Sequence, residues 1–214
     1  YNLHNPNKIE IKITKTQNIN ISTKRNIGAK KTNADYLAFI DSDAYPDQNW
    51  LKNIYHHIKK NKEIVVVGGP SGIGFPNEKF LCQLTNLAKK SFFCTGNLSF
   101  RKYSKDVKFC TWLESCNFII NKKKFNELLG MNENIYIFED LELCYRINQF
   151  CGKNKILYAG DVVVFHKDRS IINFLKQRFV FGLHIDHAIR YSTGINKLIP
   201  LVPLLSFFLI CMSF

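Results

Sequence analysis

The sequence predicts an α/β domain in which helices flank a sheet whose strands end in polar loops. Tyr36–Ile40 is an apolar run that ends in a β-branched residue, which predicts a buried strand, and two aspartates follow it at once. Ile64–Val67 is a second apolar run, and it ends at a glycine-rich loop. Residues 141–151 instead place apolar side chains at helical spacing. Ligands of open α/β sheets bind beyond the carboxyl ends of the strands, so we expect the site after Ile40.

Length and composition fit one sizeable α/β domain, alone or with an appendage. The chain has 214 residues, of which 46% are hydrophobic, and this permits a substantial core. Its net charge of +13 suggests anionic partners: nucleotide phosphates, acidic lipid headgroups or nucleic acid. Nucleic acid is disfavoured, because the basic residues follow no recognised binding module. The 7 cysteines form no C-x-x-C pair, so we expect reduced thiols rather than a zinc site or a disulfide framework.

The first segment predicts a strand and then a helix. Ile9–Ile13 alternates as a half-exposed strand does, and a helix begins near Ser22, which is an acceptable N-cap. Arg25 and Asn26 lie early in this helix. They fit a solvated helix start. They also fit a diphosphate site, because helix N-termini and guanidinium groups both bind phosphate.

Asp41 and Asp43 form a D-x-D motif directly after the strand at 36–40. Two ionised carboxylates this close repel each other unless a cation lies between or beside them. Mg²⁺ or Mn²⁺ is the natural cation, held by carboxylates together with substrate phosphates. The alternative is a structural loop in which Asp47 caps the following helix.

The middle of the chain continues the alternation of helices and strands. Apolar residues at 50–58 predict a packed helix, and Ile64–Val67 predicts a buried strand. The glycine-rich loop at 68–72 has neither the Walker pattern nor the dinucleotide spacing, so it is a weak indication of phosphate binding. Residues 75–110 are a variable region, in which we expect a helix near 77–90.

A second acidic stretch follows a strand at 115–120 and a short helix at 122–129 that Gly130 closes. Glu139 and Asp140 open the next helix, where the helix dipole favours ionised carboxylates. Ordinary helix capping accounts for these residues. Catalysis accounts for them equally, because a general base is an ionised carboxylate aimed into a cleft.

The last third predicts a strand pair around Gly160 and Asp161, within residues 155–164. A long helix follows from about Ser170 to Tyr191. Between them lies His166, which is either a metal ligand or phosphate contact, or a structural hydrogen-bonding residue.

Taken in order, four motifs resemble family 2 of the glycosyltransferases. They are R-N-x-G at 25–28, D-S-D at 41–43, G-G-P at 68–70 and F-E-D-L-E-L-C-Y-R at 138–146. The resemblance covers residues 20–190 and implies the GT-A fold, a nucleotide-binding α/β domain with a mixed central sheet. It also implies an inverting transfer of a sugar from a nucleotide-diphospho-sugar to a hydroxyl of a saccharide or lipid-linked acceptor.

The resemblance implies roles for the acidic residues. Asp43 matches the ligand of the divalent metal, Mg²⁺ or Mn²⁺, on the donor diphosphate. Asp41 matches a contact to the ribose, the sugar or the metal. Asp140 matches the catalytic base, and Glu139 matches a residue that positions the acceptor or the sugar.

It also implies roles for the residues around the nucleotide. Arg25, Asn26 and Gly28 match the segment that lines the nucleotide pocket. His166 and Arg178 match the region that closes over the nucleotide, and His166 is a further candidate metal ligand. The expected proton acceptor and the expected metal ligands are thus carried by separate parts of the chain.

The chain departs from the family pattern in two respects. Gln177-Arg178-Phe179 does not match the Q-x-x-R-W of processive synthases, so we expect a non-processive enzyme. No D-D-G-S-like stretch precedes residue 20. We therefore expect an N-terminally truncated domain without the part that contacts the nucleotide base, and the activity of this fragment on its own stays open.

The C-terminal residues predict a membrane attachment. No charge occurs from Leu198 to Phe214, so we divide the chain into a catalytic domain at 1–191 and an apolar helix at 192–214 that starts a membrane span. Arg190 and Lys197 precede the run, which puts the domain on the cytoplasmic face of the cell membrane. The alternative is a buried or surface-lying helix.

Two other functions remain compatible with the sequence. One is another metal-dependent nucleotide-sugar or nucleotidyl transferase on a similar fold. The other is a non-catalytic, membrane-attached binding module that inherited the fold.

Overall fold

The computed structural model describes residues 14–17, 19–71, 74, 80, 105–167 and 169–192. The strand expected at 9–13, most of the helix expected near 77–90 and the apolar run after residue 192 lie outside these residues. None of the helices in the described part of the chain combines the length and apolar character that a bilayer span requires.

Six helices and seven strands are described. The helices are α1 (Ile21–Lys30), α2 (Trp50–Lys60), α3 (Lys122–Glu127), α4 (Glu139–Phe150), α5 (Ile171–Leu183) and α6 (Ile185–Tyr191). The strands are β1 (Tyr36–Ile40), β2 (Ala44–Pro46), β3 (Val66–Gly68), β4 (Val107–Phe109), β5 (Asn117–Asn121), β6 (Ile156–Ala159) and β7 (Val164–His166).

The larger sheet is mixed, as the sequence analysis predicted. Its strand order is β1-β5-β3-β6-β4. Strand β5 runs antiparallel to both of its neighbours, and β3 and β6 are parallel. Ile40 pairs with Asn117, so the amino end of β5 lies beside the carboxyl end of β1. Polar residues that precede β5 therefore lie close to the D-x-D motif.

The sheet has an apolar layer on each face. On β5, Phe118 and Ile120 join one buried cluster, and Ile119 joins the other. Successive side chains of a strand point to opposite faces, which accounts for this division. Leu143 of α4 belongs to the first cluster and Trp50 of α2 to the second, so a helix covers each face.

Strand β1 is less buried than its apolar sequence predicted. Of its five residues, Leu37 is buried, Ala38 is exposed and the others are intermediate. In the described part of the chain β1 is one of the two edge strands of the sheet, with β5 as its neighbour. An edge position leaves apolar side chains open that a central strand would cover.

A second, two-stranded sheet pairs β2 with β7 in antiparallel register, so that Ala44 faces His166. The expected strand pair around Gly160 and Asp161 is therefore wrong. The chain does turn there, but β6 stays in the large sheet while β7 leaves it to pair with β2. This departure carries His166 to the D-x-D motif.

Two helix starts differ from the expected ones. Asn20 caps α1 by accepting a hydrogen bond from the backbone of Thr23 at 2.8 Å, and Ser22 lies inside the helix, fully buried. Asn49 rather than Asp47 is the N-cap of α2. Asp47 still stabilises the turn, because its Oδ1 accepts from the backbone N–H of Asn49 at 2.9 Å.

The long helix expected from Ser170 to Tyr191 begins as predicted. Ser170 is the N-cap of α5, and its side chain accepts from the backbone of Asn173. The helix is interrupted at His184, after which α6 continues to Tyr191.

The glycine-rich loop after β3 serves packing. A Cβ on Gly68 would lie 2.2 Å from the carbonyl oxygen of Asn117, and one on Gly69 would lie 2.3 Å from those of Ala159 and Val162. The side-chain amide of Asn117 donates to the carbonyls of Pro70 and Val162. Both glycines are therefore needed for the close approach of three backbone segments.

Candidate active site

One cavity of about 800 Å³ brings together residues that are far apart in the sequence. Its walls come from α1, the carboxyl end of β1, the segment before β5, the turn that opens α4, the end of β7 and α5. Seven of the nine residues singled out from the sequence line this cavity: Arg25, Asp41, Asp43, Glu139, Asp140, His166 and Arg178.

Asp41, Asp43 and His166 form a compact cluster of metal-ligand type. Nε2 of His166 lies 3.3 Å from Oδ1 of Asp43 and 3.6 Å from Oδ2 of Asp41. One ligand atom from each residue lies within 4.8 Å of the other two. The pairing of β2 with β7 holds this geometry, helped by a 2.9 Å hydrogen bond from the backbone N–H of Lys167 to the carbonyl of Asp43.

The donor set of this cluster fits a divalent cation. Carboxylate oxygens suit Mg²⁺ or Mn²⁺, and the imidazole favours the transition metal of the two. Nδ1 of His166 lies 2.9 Å from the carbonyl oxygen of Lys167. That contact assigns the proton to Nδ1 and leaves Nε2 as the nitrogen that can ligate a metal beside the carboxylates.

The charges within the cluster are mutually stabilised. The hydrogen bond to His166 holds the pKa of Asp41 below its usual value, against the effect of burial, and Arg25 adds to the lowering. Burial lowers the pKa of His166, but the interactions with Asp41 and the Lys167 carbonyl outweigh it, and the net pKa is raised.

Arg25 joins this cluster to the second acidic motif. Its Nη2 lies 3.1 Å from Oδ1 of Asp41, and its Nη1 lies 2.7 Å from Oε1 of Glu139. The guanidinium also stacks over the ring of Phe39 at 5.9 Å. The side chains of Arg25 and Glu139 are each 11% exposed, so their ion pair is largely desolvated, whereas Asp41 is 34% exposed. Together the two pairs fix the distance between the end of β1 and the start of α4.

Asp140, in the first turn of α4, accepts hydrogen bonds from three N–H donors. Its Oδ2 accepts from the backbone of Ser115 at 2.9 Å. Its Oδ1 accepts from the backbone of Leu141 at 2.7 Å and from the indole of Trp112 at 3.3 Å. Burial, together with the neighbouring charge of Glu139, raises the pKa of Asp140 to about 7. A carboxylate with this pKa is well matched to proton transfer near neutral pH.

The backbone before Glu139 and Asp140 is in an unusual conformation. Phe138, the N-cap of α4, has φ 69° and ψ 27°, which is the left-handed region that bulky residues rarely adopt. Its ring packs against Phe181 of α5, with the ring centroids 5.2 Å apart. Strain of this kind clusters at functional sites, and here it aims the two acidic side chains into the cavity.

Asn26 and Gly28 do not line the cavity. The side-chain amide of Asn26 is buried, donates to the carbonyl of Met131 at 2.8 Å and accepts from the backbone N–H of the same residue at 2.9 Å. It therefore ties α1 to the turn before α4. Gly28 is exposed, and a Cβ there would meet nothing within 4 Å. Their assignment to nucleotide binding stays a prediction.

The structure adds site residues that the sequence analysis missed. Lys24 and Arg169 extend the positive charge of the cavity, and Trp112, Glu114 and Ser115 line it beside Asp140. Trp112, Glu114 and Ser115 could have been predicted as site residues from their position just before β5. That prediction would have required knowing that β5 is antiparallel to β1.

Comparison with protein families gives one match that covers more than half of the chain. Residues 3–129 match the family described as "Glycosyl transferase family 2". The match ends before Glu139 and Asp140, so the second acidic motif is placed at the site by the structure.

One relative that is similar in sequence is named as a glycosyltransferase. The poly(ribitol-phosphate) beta-N-acetylglucosaminyltransferase TarP of Staphylococcus aureus (strain N315) is 26% identical over 160 residues, which is 69% of this chain and 48% of that protein. The chain thus spans about half the length of this relative.

Solved structures share the fold. Staphylococcus aureus TarS 1-349 in complex with UDP-GlcNAc has a TM-score of 0.51 at 14% identity, over 86% of this chain and 52% of that one. GalNAc-T7 with UDP, GalNAc and Mn²⁺ has a TM-score of 0.50 at 19% identity, over 84% of this chain and 39% of that one. These likenesses confirm the GT-A architecture of a mixed sheet with flanking helices. Together with the family match they lead to one conclusion: this chain belongs to family 2 of the glycosyl transferases.

Proposed function

We propose that this chain carries out an inverting, divalent-metal-dependent transfer of a sugar from a nucleotide-diphospho-sugar to an acceptor hydroxyl. The observation that carries the proposal is that a cluster of three potential metal ligands and a carboxyl with a pKa of about 7 line one cavity. Arg25 pairs both with Asp41 of this cluster and with Glu139, the residue before Asp140, so the cluster and Asp140 are held at a fixed separation.

The donor end of the cavity is defined by charge. Asp41, Asp43 and His166 would hold the metal, which supplies positive charge to the departing diphosphate. Lys24 and Arg169 lie in the same cavity, and their cationic groups suit the remaining phosphate oxygens. The structures of GalNAc-T7 with UDP and of TarS with UDP-GlcNAc support a uridine nucleotide as the first donor to test.

The acceptor end is defined by Asp140. In the proposed reaction its carboxylate takes the proton of the acceptor hydroxyl as that oxygen bonds to the anomeric carbon. The bond from the anomeric carbon to the phosphate oxygen breaks, and its electron pair leaves with the diphosphate. Attack on the face opposite the leaving group inverts the anomeric centre. Glu139 is held by Arg25 and so supports the position of its neighbour.

The test is transfer by the full-length protein from UDP-GlcNAc and UDP-GalNAc, followed by nucleotide release and product analysis. We expect transfer in Mn²⁺ or Mg²⁺, with inversion of the donor anomer. Donor binding without transfer, for every acceptor and metal tested, would instead match a binding module that has kept only the fold.

We further propose that the catalytic domain, residues 1–191, lies at the cytoplasmic face of a membrane to which residues 192–214 attach it. The support is the uncharged run from Leu198 to Phe214, preceded by Arg190 and Lys197. Extraction of membranes with alkaline carbonate tests the attachment, and protease added outside intact cells tests the orientation. Release by carbonate contradicts the span, and cleavage of the domain from outside contradicts the cytoplasmic placement.

A further inference from the structure

The outer face of helix α5 is apolar and exposed. Four large side chains on this helix are between 59% and 69% exposed: Ile172, Leu175, Phe179 and Leu183. At about 3.6 residues per turn their positions fall within an arc of about 80°, so they form one stripe along the helix. We call these four residues the outer stripe. A contiguous apolar surface marks an interaction site, whereas apolar residues that are exposed singly need no explanation.

The opposite face of α5 packs against the domain. Phe174 is buried, and Phe181 packs against Phe138 with the ring centroids 5.2 Å apart. Gln177, Arg178 and Phe181 line the cavity. The helix therefore has apolar side chains both on its cavity side and on its outer side. A helix that is apolar all round is normally covered on every side, so the outer stripe calls for a partner.

The charges on α5 indicate the kind of partner. Its two charged residues, Lys176 and Arg178, are both basic. Lys176 is exposed, and helical spacing places it directly beside the outer stripe. A lysine at the border of an apolar face can bury its methylene chain and reach lipid phosphates with its ammonium group, as on helices that lie in a membrane surface.

The size of the outer stripe argues against a second protein chain. Helix α5 has 13 residues, so the stripe is about 20 Å long and about 10 Å wide, or roughly 200 Å². A stable protein–protein interface takes about 800 Å² from each partner. A membrane requires no such minimum, because the binding of a surface helix scales with the apolar area that it buries.

The place of α5 in the chain also favours a membrane. The sequence after α6 is uncharged from Leu198 to Phe214, the run for which we proposed membrane attachment. Helix α5 itself has 13 residues, against the roughly 20 that a span requires. A helix that is too short to cross a bilayer and apolar on its outer face fits the bilayer surface instead.

We propose that the outer stripe of α5 lies in the surface of a phospholipid membrane. The four side chains enter the boundary between headgroups and acyl chains, and Lys176 lies at the level of the phosphates. The cavity then lies about one helix diameter, roughly 10 Å, from the lipid. This inference goes beyond the attachment proposed for residues 192–214, because it names a second membrane contact within the catalytic domain. It does not depend on the proposed transfer.

Photocrosslinking of the full-length protein tests this contact. The photoreactive residue p-benzoylphenylalanine replaces Phe179 in one variant and Tyr55 in another. Tyr55 is the matched control, because it is an aromatic residue on α2 that is 66% exposed, against 69% for Phe179. Each variant is irradiated with vesicles of phosphatidylcholine and phosphatidylglycerol, and mass spectrometry identifies the crosslinked molecule. We expect at least about tenfold more lipid adduct at position 179 than at position 55.

The same experiment reports the other possible occupants of the stripe. Equal lipid adduct at the two positions, or no lipid adduct at position 179, would overturn the proposal. A crosslink from position 179 to a second copy of the chain, or to another segment of the same chain, in place of lipid would also overturn it. Melting temperatures control for folding. If the variant at 179 melts below the parent protein, Leu175 is replaced instead, with the same result expected and the same results counting against the proposal.

The outcome can be separated from the attachment proposed for residues 192–214. Lipid adduct at position 179 in a protein that alkaline carbonate releases would refute the span and leave the membrane contact of α5 standing. Attachment that resists carbonate, without lipid adduct at position 179, would refute the contact of α5 and leave the span standing.

Discussion

Nη1 of Arg25 lies 2.7 Å from Oε1 of Glu139, and both side chains are only 11% exposed. This pair connects α1 to the first turn of α4, and through Asp41 it reaches the metal-type cluster. Arg25 was expected to bind nucleotide. In the structure its guanidinium forms ion pairs with two carboxylates, so its main role is to hold the geometry of the site.

Replacing Arg25 by Gln should both destabilise the fold and reduce transfer. Removing one partner of a buried ion pair leaves the other charge uncompensated, at a cost of about 3–5 kcal/mol. Thermal unfolding and the transfer rate would measure the two effects. Lys124→Ala is the matched control, because the Lys124–Glu127 pair is about half exposed and such pairs contribute little. Equal melting temperatures of the two variants would contradict the structural role of Arg25.

Asp140 should give activity and stability opposite dependences on pH. Its pKa is about 7 in the folded chain against an ordinary 3.8, so the folded state binds a proton that the unfolded state releases. The stability that this group contributes is therefore fully present below its ordinary pKa and is lost as pH rises through about 7. Transfer needs the ionised form and should rise through the same range. Chemical denaturation at several pH values measures the stability, and Asp140→Asn should remove this component of its pH dependence.

Removal of the metal should weaken donor binding rather than the fold. EDTA and Asp43→Ala should each lower UDP affinity, as measured by calorimetry, because the diphosphate loses its counter-charge. Asp35→Asn is a suitable control, since Asp35 is exposed and is not among the residues lining the cavity. UDP binding that is as tight in EDTA as in Mn²⁺ would count against the cluster as a metal site.

The two glycine motifs should respond oppositely to alanine. Gly69→Ala places a Cβ 2.3 Å from two carbonyl oxygens and should destabilise the domain strongly. Gly28→Ala adds a methyl group in open space on α1, where alanine is the better helix former by about 1 kcal/mol. Melting temperatures test both. A neutral Gly69→Ala would mean that the loop after β3 can move away.

The central features of the site could be predicted from sequence because they follow directly from local patterns. Asp41 and Asp43 come straight after an apolar strand, and Glu139 and Asp140 are the first residues of an amphipathic helix. Each prediction needed only the rule that ligands gather at strand ends and that helix N-termini favour carboxylates. The mixed sheet followed from the family resemblance rather than from any pattern of pairing.

What could not be predicted depends on long-range pairing. His166 reaches Asp43 because β7 pairs with β2, two three-residue strands that are too short to show a periodicity. Trp112 reaches the cavity beside the D-x-D motif because β5, which follows it, runs antiparallel to β1. The burial of β1 was overestimated for the same reason, because the sequence of an apolar strand does not show whether it lies at the edge or in the centre of a sheet.

The most direct test of the account is the full-length Asp140→Asn variant, measured for donor binding and for transfer in one preparation. We expect UDP-sugar binding that needs Mn²⁺ or Mg²⁺ and equals that of the parent protein. We expect transfer to fall by about 10²–10⁴-fold, the usual contribution of a positioned base. Retention of more than about a tenth of the parent's transfer rate would make Asp140 a helix-capping residue and contradict the assignment of the base.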